Sequence, residues 1–228
     1  MKTPKLSDFA GTETWVFDLD NTLYPASTNL FAQIDVRMKA FIAGALGLSP
    51  DDAFKLQKQY YRMYGTSLRG LILHHDVDPD AFLDYVHDID HSVLNADPRL
   101  EALLSALPGR KLIYTNGSAY HAESVMKRLG VAHHFEDIFD IRAGMLIPKP
   151  DPAGYAAMIA KHAVTPAKAV MFEDSYKNLG PAAALGMKTV WVRHAGEMPT
   201  DGDDLSHCHY QTDDLLGWLS EMLAVPQS

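Results

Sequence analysis

The sequence predicts an α/β fold: a doubly wound parallel sheet with an all-helical domain inserted after its first strand. Two observations carry this. Short apolar runs rich in Val, Ile, Phe and Trp alternate with helical patterns at crossover lengths, and one long interval contains helical patterns alone. In chain order, a polar arm leads into a buried strand over residues 14–18, and further strands follow at 111–115, 169–172 and 188–192. Helices are expected at 119–129, 152–162 and 176–185, and a last one at 212–223 begins with Asp213 and Asp214 in its first turn. Between residues 25 and 98 the pattern gives helices at 29–46, 51–64, 67–74 and 80–94, punctuated by Gly47-Leu48-Ser49-Pro50, Gly65-Thr66 and Asp78-Pro79. The expected division is therefore 1–24 and 99–228 as a Rossmann-like catalytic core, and 25–98 as a helical cap. In such a sheet, ligands gather at the carboxyl ends of the strands.

Composition narrows the function. The 228 residues are 47% hydrophobic and 21% charged, enough for a real core, and the net charge of -9 argues against binding a nucleic-acid polymer or a membrane surface. No apolar stretch approaches the ~20 residues of a membrane span, and Cys208 is the only cysteine, so a cytoplasmic protein is expected.

Chemistry concentrates at the strand ends. The first strand runs into Asp18-Leu19-Asp20, and in an extended chain these two carboxylates point the same way, roughly 6 to 7 Å apart at the backbone. Like charges so placed call for a cation or a proton between them. Taken alone, the pair also suits a turn or a helix cap. The second strand ends in Thr115-Asn116-Gly117-Ser118 before a helix, a hydroxyl, an amide and a helix N-terminus suited to phosphate, although such a turn alone is commonplace. Lys149 sits between Pro148 and Pro150, which fix the backbone around its ammonium. The strand 169–172 ends in Glu173-Asp174-Ser175, hard oxygen ligands of the kind magnesium takes.

In this order DLDNT (18–22), TNGS (115–118), the Lys149 turn and FEDS (172–175) resemble the motifs of the haloacid dehalogenase superfamily along nearly the whole chain. More narrowly, DLDNTLYP (18–25) and the segments at 60–71 and 85–100 resemble its pyrimidine 5'-nucleotidase branch. The resemblance implies a Mg2+-dependent phosphatase. Asp18 is then the nucleophile and Asp20 the general acid and base, a role that asks for a carboxyl whose pKa can rise; Thr115, Asn116 and Lys149 hold the phosphoryl group. The metal falls to the Asp18 side chain, the Asp20 carbonyl and Asp174. Glu173 is a further ligand or an orienting neighbour. Asn178 stands where many relatives carry another acid, and is equally an ordinary surface residue. Dehalogenating relatives lack an acid at the position of Asp20, because halide leaves without a proton.

The implied substrate is a small phosphate ester, a pyrimidine nucleoside 5'-monophosphate in the first instance, with a sugar phosphate or phosphoglycolate as the alternative. A phosphate-accepting regulator is the competing class, but it has no use for a helical lid, and a mutase would consume a bisphosphorylated activator. Tyr24, Tyr64 and Arg69 are the candidate substrate contacts, whereas Tyr60 and Tyr61 are expected to pack the core. The eleven histidines have no assigned role, and His207-Cys208-His209 is expected to be a solvated loop. The sequence does not determine the oligomeric state.

Overall fold

The computed structural model describes residues 4–194 and 198–224. Its sheet is parallel throughout, with six strands in the order β3-β2-β1-β4-β5-β6. The central strand β1 (Thr14–Phe17) lies between β2 (Arg110–Tyr114) and β4 (Ala169–Glu173), with β5 (Lys188–Val192) beyond β4. All four residues of β1 are buried because both faces of the sheet are covered. Trp15 and Phe17 enter one core cluster, where Phe17 stacks on Phe172 at 4.5 Å, and Val16 enters the other with Leu112 and Met171.

The first helices along the chain form a separate group: α1 (Leu30–Leu46), α2 (Pro50–Tyr64), α3 (Ser67–His75) and α4 (Pro79–His87). They share their own apolar cluster, built around Ile34, Ile42, Leu71, Phe82 and Leu83. Capping defines their starts: Ser49, Thr66 and Asp78 each accept a bond from a backbone N–H of the first turn. The core loop reaches into this cluster through Ile141 and Leu146, and Arg142 pairs with Asp80 at 2.7 Å. Tyr60 packs there, as expected.

The remaining elements are α5 (Pro98–Ala106), α6 (Ala119–Leu129), β3 (Asp137–Phe139), α7 (Pro152–His162), α8 (Tyr176–Ala184), β6 (Tyr210–Thr212) and α9 (Leu215–Leu223). Three of these differ from the sequence reading. The edge strands β3 and β6, three residues each, and α5 were not anticipated, and β6 takes the start of what reads as the last helix. The α4 helix ends at His87 rather than near residue 94, and a 3-10 turn at His91–Val93 follows. The segment His207-Cys208-His209 is not simply solvated. His207 Nε2 lies 2.7 Å from the Tyr176 carbonyl, and His209 Nδ1 lies 2.7 Å from Thr189 Oγ1. Among the described residues no helix is long and apolar enough to cross a membrane.

Candidate active site

Neighbouring strands deliver the site. Asp18 follows β1 directly and its N–H still bonds the Phe172 carbonyl, at 2.9 Å; Thr115 follows β2, and Glu173 ends β4. The Lys149 turn lies over the same edge. Lys149, 1% exposed, donates to Asp18 Oδ1 at 2.7 Å, to Glu173 Oε2 at 2.6 Å and to the Tyr114 carbonyl at 2.8 Å. Its backbone is pinned by Asn116, whose Oδ1 accepts from Lys149 N at 2.8 Å and whose Nδ2 donates to Lys149 O at 3.3 Å. The paired prolines therefore act together with an amide clamp that the sequence does not advertise.

The acids are strongly perturbed. Burial, reinforced by Glu173 and opposed by Lys149, pushes the Asp18 pKa up to about 7. Burial likewise lifts Glu173 to about 7 against the pull of Lys149, and raises Asp174. The carboxylates of Asp18, Glu173 and Asp174 offer oxygens within 4.8 Å of one another, and the one ammonium among them, that of Lys149, bonds only Asp18 and Glu173. This excess of hard oxygens fits a divalent cation such as magnesium. Glu173 is already engaged by Lys149 and by Asn178, whose Nδ2 donates to Glu173 Oε1 at 3.0 Å. Asn178 is thus a partner of the acidic cluster and not a plain surface residue.

Asp20 stands apart from this group. The strand pairing stops at Phe17, and the chain turns at 19–23 with Asn21 in the left-handed region at φ 60°. Asp20 therefore takes different partners from Asp18. Its Oδ1 accepts from Tyr24 OH at 2.5 Å and lies 2.8 Å from His121 Nε2. Burial pushes the Asp20 pKa up, but His121 and then Tyr24 outweigh it, and the carboxyl lies below its ordinary value. An upward shift was expected from the sequence, and the histidine is the reason for the difference. His194 is a second unanticipated neighbour, with Nε2 2.9 Å from Asp174 Oδ2. No local signal marks either histidine, since His121 is 101 residues from Asp20.

A cavity of about 520 Å³ opens onto these groups. It is lined by Asp18, Asp20, Thr115, Asn116, Lys149 and Asp174 from the sheet side, and from the helical side by Phe31, Gln57, Tyr61 and Thr66 among others. Tyr61, expected in the core, is 46% exposed and lines the cavity. Tyr24, Tyr64 and Arg69, the candidate substrate contacts, are not on that wall, and Tyr64 OH bonds His74 Nε2 at 2.6 Å. Instead the glycine between α2 and α3 makes the approach. Gly65 has φ 81°, and a Cβ there would meet the Lys149 carbonyl oxygen at 2.6 Å.

The chain is 32% identical over 203 residues to Phosphate metabolism protein 8 of Saccharomyces cerevisiae (strain ATCC 204508 / S288c), a match covering 81% of this chain and 63% of that protein. It thus spans less than two thirds of the relative's length. Among solved structures, a HAD phosphatase from Thermococcus onnurineus superposes with a TM-score of 0.57 at 21% identity, covering 87% of this chain and 92% of that one. YfnB from Bacillus subtilis, solved bound to magnesium, gives 0.61 at 13% identity, with 93% and 99% covered. An L-2-haloacid dehalogenase from Xanthobacter autotrophicus gives 0.51 at 19% identity, with 79% and 77% covered. These superpositions show the shared fold. The family model for haloacid dehalogenase-like hydrolases matches residues 12–186, which takes in Asp18, the Lys149 turn and the Glu173-Asp174 pair, and the chain belongs to that family of hydrolases.

Proposed function

We propose that the protein is a magnesium-dependent phosphomonoesterase acting through an aspartyl phosphate on Asp18, with residues 25–98 serving as a cap over the site. The observation that carries this reading is the division of labour between two acids spaced two residues apart. Asp18 faces Lys149 inside a buried charge cluster, while Asp20 lines the same cavity in a separate cradle of Tyr24 and His121. A halide needs no proton to leave, whereas an ester oxygen does. The name of the yeast relative and the phosphatase from Thermococcus onnurineus support phosphate chemistry.

In the first step an Asp18 oxygen attacks phosphorus, the bond to the ester oxygen breaks, and that oxygen leaves with a proton from Asp20. In the second, Asp20 takes a proton from water, the water oxygen attacks phosphorus, and the bond to Asp18 breaks. The depressed pKa of Asp20 belongs to the site without substrate; an incoming phosphate dianion pushes it upward. Thr115 and the Asn116 N–H hold phosphoryl oxygens, and Lys149 balances the charge on Asp18. The metal would be held by the side chains of Asp18 and Asp174 and the backbone carbonyl of Asp20. When bound, magnesium offsets the repulsion between the anionic nucleophile and the anionic phosphate.

Pyrimidine nucleoside 5'-monophosphates are the proposed substrates. The cavity volume of about 520 Å³ suits a ligand of that size, and Phe31 and Tyr61 offer aromatic faces for a base. Gln57 adds a polar group on the same wall: its Nε2 donates to Asp35 Oδ1 at 2.7 Å, and its Oε1 has no hydrogen-bond partner. The test is phosphate release from a panel of nucleotides, sugar phosphates and phosphoglycolate with magnesium. UMP or CMP is expected to lead. A sugar phosphate outrunning every nucleotide would overturn the substrate assignment, and activity that persists after exhaustive chelation would overturn the metal-dependent mechanism.

A further inference from the structure

We propose that His121 is the positioning residue for Asp20, and that it is itself held in place by two histidines of the helical insertion, so that the orientation of the proton-transferring carboxyl depends on contacts across the cap boundary. The inference rests on the reading of Asp20 as general acid and base.

His121 lies in the first turn of α6 and is fully buried. Both its ring nitrogens are engaged. Nε2 is 2.8 Å from Asp20 Oδ1, and Nδ1 is 3.2 Å from His91 Nε2. A carboxylate only accepts, so Nε2 must carry the proton that it donates to Asp20, whether the ring is neutral, with Nδ1 accepting from His91, or charged, with Nδ1 donating to it. His87, at the end of α4, lies flat against the His121 ring, 4.6 Å between centroids with the planes 12° apart. His87 is fixed in turn by the hydroxyl of Ser118, 2.9 Å from its Nδ1. That same Ser118 oxygen caps α6 by accepting from His121 N at 3.3 Å. Ring and backbone of His121 are thus both gripped, one by residues of the insertion and the other by the motif that ends the second strand.

The consequence falls on one oxygen. Tyr24 and His121 both converge on Asp20 Oδ1, which leaves Oδ2 as the oxygen open to a leaving group. Two donors at Oδ1 stop the carboxyl from rotating about its own bond. Removal of one leaves Tyr24 as the single restraint. A group displaced by about 1 Å from its productive position costs on the order of 100-fold in rate. Burial alone would be served equally well by a leucine at this position. The donor at the place of Nε2 would not.

The experiment compares kcat/KM for phenyl phosphate and 4-nitrophenyl phosphate, two aryl esters that differ chiefly in how much their leaving oxygen needs a proton. His121→Leu is expected to lower the value for phenyl phosphate about 100-fold and that for 4-nitrophenyl phosphate by no more than about threefold. His121→Gln, which restores a donor near Nε2, is expected to recover most of the loss. His91→Leu breaks the outer link at the half-buried end of the chain, leaves α6 intact, and should give the same selective pattern at about three- to tenfold. Equal loss on both esters in His121→Leu and His91→Leu, or no recovery in His121→Gln, would assign the histidines to packing alone and overturn the inference. Asp20→Asn is the control. If it discriminates between the esters while the histidine variants do not, only the inference falls; if it too loses activity equally on both, the reading of Asp20 falls with it.

Discussion

Replacing Lys149 by methionine keeps most of the side-chain volume and removes one charge, and its effect can be worked out in sign and size. The ammonium is 1% exposed and lies within 2.7 Å of both Asp18 and Glu173, so its loss leaves two buried carboxylates without their counterion. Breaking a buried ion pair in this way costs about 3 to 5 kcal/mol, which for a chain of this length is a fall in Tm of roughly 6 to 20 °C. The cost depends on pH. With Lys149 present, Asp18 and Glu173 titrate at about 7 in the folded state, above their unfolded values, so the folded state binds the extra protons and these groups lose stability as pH rises towards 7. Lys149 is the influence that lowers both, so its removal raises them further and carries the loss above pH 7, where the wild type has levelled off. The deficit of Lys149→Met therefore grows from pH 5.5 to pH 8.5, by up to about 1.4 kcal/mol per pH unit for each carboxyl. Thermal and urea unfolding at the two pH values, in chelator, measure it directly. Magnesium should then recover part of the deficit at the higher pH by standing in for the lost charge. A deficit independent of pH, or a Tm within about 2 °C of wild type, would refute the electrostatic account.

Three further outcomes follow from the geometry. Gly65→Ala puts a methyl group 2.6 Å from the Lys149 carbonyl at a backbone φ of 81°, so stability should fall by about 1 to 3 kcal/mol and kcat/KM for any ester by about tenfold, as read from urea unfolding and phosphate release. Burial, followed by the charge of His121, holds His87 at a pKa of about 3; as pH falls from 6.5 the unfolded chain gains a proton that the folded one refuses, and about 2 kcal/mol should be lost by pH 5. In His87→Phe, which keeps an aromatic ring against His121, that part of the acid slope should vanish, and unchanged acid sensitivity would place the titration elsewhere. Asp174→Asn removes one of three converging carboxylates and should raise the magnesium concentration for half-maximal activity by about 10- to 100-fold, with wild-type activity abolished by chelation.

The strand ends were legible because each puts its chemistry in a few consecutive residues: Asp18-Leu19-Asp20, Thr115-Asn116-Gly117 and Glu173-Asp174 all read directly, and the structure brings them to one cavity. The short strands β3 and β6 escaped because three edge residues show no period, and β3 is buried only at Phe139. The helix α5 was not anticipated although it was readable, from Asp97, whose side chain caps Arg99 N, and from Pro98 at its first position. The histidines were not. His121 acquires its meaning from Asp20, His87 and His91, which lie far away along the chain, and a lone histidine in a helical pattern reads as any other polar residue. Tyr61 was misplaced for a related reason. Helical spacing gives the face of α2 it occupies, but not whether that face meets the core or the cavity.

The pairing order of the sheet also bears on when, during synthesis, the protein becomes competent. Asp18 emerges early, but its counterion arrives 131 residues later, and Glu173 comes only with β4. The β1 strand has β2 on one side and β4 on the other, so until the chain reaches about residue 175 one flank of the central strand is unpaired. A nascent chain can form the helices of residues 30–87 from local contacts while the acidic cluster does not yet exist. A metal ion that needs Asp18 and Asp174 together would therefore find both ligands only once the sheet has closed between β1 and β4.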